Sequence, residues 1–297
     1  MSEGSRLTPF DALHVFGRGG LRAPHKPLLV LYALGRLKHA GDERISFEAS
    51  EEPIRDLIRA YAPPRSNARP NDPFRFLESD GCWRLDAQDR ARLIDASGNA
   101  RIGELRRQHV TGGFTAEWLA RFRAEPALID EVALAVLRQH FPPSLHEEIL
   151  ERAGLELGIV RATLRRLRNR AFVDLVREAY FGACAICGLD LRLAGDAIAL
   201  EAAHIRWHAL GGTDEVTNGL ALCALHHRLF DRGAMTVDVE HRIRLSPHLE
   251  GGSARSLMSD LDGARLHQPR QPGQLPDPTV LRWHHRQVFH GSLTAAP

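Results

Sequence analysis

Cys184 and Cys187 form one Cys-x2-Cys pair, Cys223 and His226 form a Cys-x2-His pair, and 35 residues lie between the two. Thiolate and imidazole at this spacing are the donor set of a tetrahedral structural zinc site. The constraint on folding is severe, because a segment this short becomes a stable small domain when a metal cross-links its two ends. The chain must therefore turn back so that residue 223 meets residue 184. Four cysteines in 297 residues do not make a disulfide framework, and three of the four belong to this cluster. Cys82, in DGCWRLD, stands apart and reads as a small buried hydrophobe.

The second pair opens the run CALHHRLFD, in which His226 and His227 are adjacent. Neighbouring side chains on a helix diverge by about 100°, so the two imidazoles cannot easily serve one ion. His227 needs a separate task. Within and just beyond the bracket, His204, Asn218 and His227 follow at intervals of 14 and 9 residues. AIALEAAHI alternates like a strand, GGTDEVTNG is rich in turn residues and ALHHRLFDRG opens a helix, so the three are predicted on strand, loop and helix.

Over about residues 180–245 the sequence resembles the HNH endonucleases, the ββα-metal nucleases. The resemblance implies that His204 activates a water, that Asn218 holds the loop positioning it, and that His227 binds a divalent cation at the scissile phosphate. Imidazole at His204 has the near-neutral pKa a general base requires. Mg²⁺ or Mn²⁺ at His227 would offset charge on the phosphorane, and one such ion suffices. Ala203 stands where many of these enzymes carry a further cation ligand just before the base. Asp231, four residues after His227 on the same helical face, is the expected substitute, with Glu201 weaker and His208 weaker still. The competing reading is a zinc-containing DNA-binding module with no activity.

Composition is that of an ordinary folded chain, 43% hydrophobic and 26% charged. There is no membrane-length apolar run and no signal-peptide pattern at the start, so a cytoplasmic protein is expected. Net charge is only +2, but RATLRRLRNR places Arg161, Arg165, Arg166, Arg168 and Arg170 on one predicted helix suited to tracking phosphates or to a solvated linker. Three parts are expected: a recognition domain over 1–155, an arginine-rich linker helix over 156–179 and a nuclease domain with a C-terminal extension over 180–297. In the first, PLLVLYALGRLKHAG predicts a helix, RISF a short strand, EEPIRDLIRAYA a second helix and PFRFLESDGCWRLD a hairpin turning at Asp80–Gly81, together a winged-helix-like core. Residues 115–151 predict two helices and the start of a third, broken at Pro126 and at Pro142–Pro143, and VLRWHHRQVFHG predicts a last helix. The fold class is α+β, mainly helical.

GRGGLRAPHKPLLVLYALGR combines glycines, Arg22 and a helix N-terminus, a setting that favours phosphate as readily as it makes a well-capped helix. Together with NDPFRFL…CWRL and HVTGGF…HFPPSLHEEIL, this stretch resembles the sulfur-binding domain of McrA-like type IV restriction endonucleases. The resemblance implies a partner: double-stranded DNA in which sulfur replaces a non-bridging phosphate oxygen. Sulfur is large, polarizable and a poor hydrogen-bond acceptor, so its reader needs an apolar cup beside a cation. By resemblance Arg22 supplies the cation and Pro73 a wall. Asp72 departs from the aromatic residue expected beside that proline, and Arg69, Arg75 and Arg101 are further DNA-contact expectations. An HNH enzyme reading another modification or an unmodified sequence is the alternative. Since one ββα site cuts one strand, a homodimer is expected.

Overall fold

The structure, a computed structural model, describes residues 6–15, 21–64, 67–156, 170–252 and 258–292. The chain divides into two compact units, Met1–Leu164 and Arg165–Pro297. Arg161, Arg165, Arg166 and Arg168 lie outside the described residues, as do the glycines of GRGG.

In the first unit, helix α1 (His25–Ala40) is buried on almost every side, with Leu28, Leu29, Val30, Leu31 and Leu34 shielded from solvent. Gly41 ends it in the left-handed conformation at φ 70°, its N–H returning to Arg36 and Leu37 as the apolar pattern gives way to polar residues. Gly35 has no room for a side chain, since a Cβ there would stand 2.3 Å from the Ala153 carbonyl oxygen. Strand β1 (Ile45–Ser46) runs straight into α2 (Phe47–Tyr61), whose N-cap is Ser46. Next come α3 (Asn71–Phe76), β2 (Trp83–Asp86), α4 (Arg90–Leu93), α5 (Ile102–Arg107) and β3 (Thr111–Phe114). The unit closes with α6 (Ala116–Ala124), α7 (Ala127–His140) and α8 (Pro143–Arg152), the helices expected from the proline-broken apolar pattern.

One local expectation is corrected. PFRF is helical rather than the first strand of a hairpin, and the partner of β2 is β3, paired antiparallel from Trp83↔Phe114 to Asp86↔Thr111. Pro73 falls in the first turn of α3, where a missing N–H costs nothing. The helix also aims Phe74 at Phe47 and Trp83, with ring centroids 5.2 and 5.6 Å away, and its carbonyl accepts the Trp83 indole N–H at 3.1 Å. Burying one ring between two others outweighs the weak strand preference of the tetrapeptide. β3 lies at the centre of a three-stranded sheet of order β1-β3-β2. Cys82 is fully buried and its thiol is pushed up to about 12 by burial, as a structural cysteine should be.

In the second unit, α9 (Arg170–Ala179) buries Phe172, Val176 and Ala179 in a core shared with Leu200, Ala203, Leu220 and Leu222, so residues 170–179 of the expected linker pack into this unit's core. Small hairpin β4 (Arg192–Leu193) and β5 (Asp196–Ala197) precedes β6 (Leu200–His204), which pairs antiparallel with β7 (Gly219–Cys223) from Leu200↔Cys223 to His204↔Gly219. Cys223 is the N-cap of α10 (Ala224–Asp231), giving β6–β7–α10. A second hairpin, β8 (Met235–Val237) with β9 (Ile243–Leu245), and the C-terminal α11 (Pro278–Gln287) complete the unit. His284 of α11 stacks on Phe230 at 3.7 Å and donates to the Phe230 carbonyl at 3.1 Å while its Nδ1 meets the Thr236 hydroxyl at 2.8 Å. That side chain braces the end of α10 against β8. Among the described residues no helix is long and apolar enough to cross a membrane.

Candidate active site and metal centre

The zinc-type bracket closes where the Ala185 N–H donates to the Ala221 carbonyl of β7 at 2.7 Å. Cys184, Cys187, Cys223 and His226 offer ligand atoms that all lie within 4.8 Å of one another. The His226 Nδ1 is 3.2 Å from the Cys223 sulfur and 3.5 Å from the Cys184 sulfur. Tetrahedral zinc, with bonds of about 2.0–2.3 Å, separates its donors by roughly 3.3–3.8 Å, so the residues present fit that ion. Burial pushes the Cys184 and Cys223 thiols up while nearby backbone groups draw them partly back. A bound cation reverses the balance by stabilising the thiolates directly.

His227 points elsewhere, as adjacent helical positions require. Its Nδ1 lies 2.6 Å from Glu201 Oε2 on β6, and its Nε2 lies 3.0 Å from Asp231 Oδ2 one turn along α10. Burial pulls the imidazolium down, but the two carboxylates outweigh it and hold the group up at about 9. Asp231 is buried and its other oxygen accepts the Trp207 indole N–H at 3.2 Å. Trp207 in turn meets Trp283 of α11, ring centroids 5.8 Å apart. The two carboxylates bond opposite nitrogens of the ring, so a hard divalent cation held by His227 would sit at one nitrogen beside one of them, in place of the proton. Ala203, fully buried, contributes only packing. Glu201, the weaker expectation, stands closer to His227 than Asp231 does.

His204 closes β6, its ring stacked on Phe172 at 3.9 Å and 11° and its Nε2 2.8 Å from Asp214 Oδ1. Burial lowers its pKa and Asp214 pulls it partly back, so the ring is neutral at pH 7. Asn218 is almost completely buried and makes the contacts that shape residues 205–218. Its amide donates to the carbonyls of Arg206 at 3.0 Å and Thr213 at 2.8 Å, and its oxygen accepts the Arg206 N–H at 2.8 Å. Gly212 makes this closure possible, because a Cβ would stand 1.8 Å from the Arg206 carbonyl oxygen. His208 approaches His204 only ring to ring, at 5.8 Å.

In the first unit the structure places Arg22 where the end of α2 and the start of α1 meet. Its guanidinium donates to the Tyr61 carbonyl at 2.5 Å, and burial lowers its pKa to about 9. His25 and His140 share its surroundings and are both held down at about 4, by burial first. Pro73 is buried in α3, Asp72 is half-buried with its carboxyl raised by burial, and the Asn71 amide ties this helix to the Ala100 carbonyl at 2.8 Å. Arg75 faces Glu78 at 3.5 Å, whereas Arg69 and Arg101 are exposed. Sequence reasoning missed His25, His140, Asp214 and Trp207. His25 carried a faint signal, three residues after Arg22 at the helix start, and the others carried none.

Residues 6–157 match the family described as the ScoMcrA-like DNA sulfur-binding domain, and residues 184–238 match the HNH endonuclease family. No curated protein matches the chain. Among solved structures, the sulfur binding domain of ScoMcrA complexed with phosphorothioated DNA is 16% identical, covering 51% of this chain and 99% of that one at a TM-score of 0.43. The type IV phosphorothioation-dependent restriction endonuclease ScoMcrA is 20% identical, covering 45% of this chain and 26% of that one at 0.40. The modification-dependent TagI restriction endonuclease is 21% identical, covering 45% of this chain and 40% of that one at 0.30. The HNH domain makes the protein a metal-dependent DNA nuclease. With about half of its length matched by the first family, the chain belongs to the ScoMcrA-like DNA sulfur-binding domain proteins.

Proposed function

We propose that the protein is a modification-dependent restriction endonuclease that binds phosphorothioated double-stranded DNA through its first unit and hydrolyses a nearby phosphodiester with a one-metal HNH site. The observation carrying this reading is that one chain joins a sulfur-binding domain over 6–157 to an HNH domain over 184–238. His204, neutral and oriented, takes the proton of the attacking water, while Asn218 keeps the loop beside it closed. His227 and Asp231, with Glu201 at hand, would hold Mg²⁺ or Mn²⁺, which supplies charge stabilisation at the phosphate. Cys184, Cys187, Cys223 and His226 would hold zinc as a structural staple.

For recognition, the low-dielectric setting of Arg22 strengthens its attraction for an anion, and Pro73 offers apolar surface to sulfur. Asp72 and Arg101 would contact flanking DNA, with Arg75 beside them. Two copies would be needed to cut both strands, which favours a homodimer at the site of action.

The test is cleavage of phosphorothioated and unmodified plasmid across a series of divalent cations. Cutting confined to the sulfur-modified plasmid and abolished by EDTA is the expected result. Equal cutting of both plasmids would remove the sulfur-reading part and keep the nuclease, and no cutting of either would remove the whole.

A further inference from the structure

An imidazole works as a base through the nitrogen that carries no proton, so the partner of its other nitrogen decides how it works. For His204 that partner is Asp214, 2.8 Å from Nε2. A carboxylate can only accept from a neutral imidazole, which places the ring proton on Nε2 and leaves the lone pair on Nδ1. Phe172 covers one face of the ring, so the imidazole is held in plane as well as in tautomer. Asp214 is itself delivered by the closed loop, because Asn218 donates to the carbonyl of Thr213, the residue immediately before it.

We infer that Asp214 is the positioning residue of the general base: its carboxylate fixes the Nε2–H tautomer of His204 and steadies the imidazolium formed during the reaction. The inference rests on the reading of His204 as that base. In the step, a water O–H bond breaks and its proton passes to Nδ1. The water oxygen bonds to phosphorus as the bond to the leaving sugar oxygen breaks, the electron pair departing with that oxygen. The Nε2–H keeps its hydrogen bond to Asp214 throughout, now charge-assisted. The other charged or titratable groups acting on His204 are His208, which disfavours the imidazolium, and Asp231, which favours it more weakly than Asp214 does.

The experiment uses the full zinc-loaded chain, phosphorothioated duplex and saturating Mn²⁺, following single-turnover cleavage against pH for wild type, His204→Ala, Asp214→Asn and Asp214→Glu. Zinc content and duplex affinity are measured for each. Asp214→Asn should keep both, lose on the order of 10- to 1000-fold in rate at pH 7, and move the acid limb of the profile to lower pH. Asp214→Glu should recover much of the rate. The Asp214 side chain is 30% exposed, so these changes do not open the core. As a readout that needs no Asp214 variant, ¹⁵N-histidine spectra of the wild type should show His204, identified by its loss in zinc-loaded His204→Ala, protonated at Nε2 and bare at Nδ1. A Nδ1–H tautomer, or a uniform loss of rate with the acid limb unmoved, overturns the role of Asp214 while leaving His204 as base. Wild-type cutting by His204→Ala, or no cutting by wild type, overturns the base and the inference with it.

Discussion

Asn218 gives the sharpest test of how the nuclease loop is held. Its side chain makes three hydrogen bonds to backbone within residues 206–213, at 2.8, 2.8 and 3.0 Å, and only about 1% of the residue is exposed. Replacement by alanine removes all three and strands two carbonyls and one N–H. At about 1 kcal/mol net per neutral hydrogen bond, the second unit should lose about 3 kcal/mol of stability. Asn218→Asp keeps the shape and the bond from the Arg206 N–H, but turns the double donor into an acceptor facing two carbonyl oxygens. It should cost at least as much as alanine despite being isosteric. The assay is urea unfolding followed by zinc release to a colorimetric chelator, which reports the second unit alone, paired with single-turnover cleavage. Both variants should bind zinc in water and cut at least tenfold more slowly, because Asp214 and with it His204 lose their anchor. Unfolding of Asn218→Ala at the wild-type midpoint, or Asn218→Asp clearly more stable than Asn218→Ala, would refute the reasoning.

Three further outcomes are expected. His226→Ala should lose zinc and unfold the nuclease unit, whereas His227→Ala should keep zinc, stay folded and fail to cut, and metal analysis with circular dichroism separates the two. Trp207→Phe removes the indole N–H that holds Asp231, so the divalent cation needed for half-maximal cleavage should rise roughly tenfold with zinc unchanged. His140 is buried neutral with its pKa near 4, below the 6.5 of an unfolded histidine, so the unfolded chain takes up the proton first as pH falls. Between pH 6.5 and about 4 the first unit should therefore lose up to about 1.4 kcal/mol per pH unit from this group, and His140→Gln should flatten that dependence in urea titrations at pH 7 and 5.

The zinc-type quartet and the trio His204, Asn218 and His227 were legible because each depends on local spacing: two residues for a ligand pair, adjacent helical positions for two imidazoles facing two sites. The helices around Pro126 and Pro142–Pro143 were legible for the same kind of reason, since proline acts on its own neighbours. Tertiary structure decided the rest. PFRF became helix because Phe47 and Trp83 lie where Phe74 can pack, a fact no window around residue 74 contains. His140 joined Arg22 from the far end of another helix. Glu201 reached His227 only through the β6–β7 register and the turn into α10, and Asp214 reached His204 only because a buried asparagine folds the loop back. The sequence by itself determined which thiols, imidazoles and carboxylates are available for the proposed chemistry, since reactivity is a property of side chains and their spacing. Which carboxylate faces which imidazole nitrogen was decided by the folded loop and sheet, because hydrogen bonding and charge act over a few ångströms of space, however far apart the partners lie along the chain.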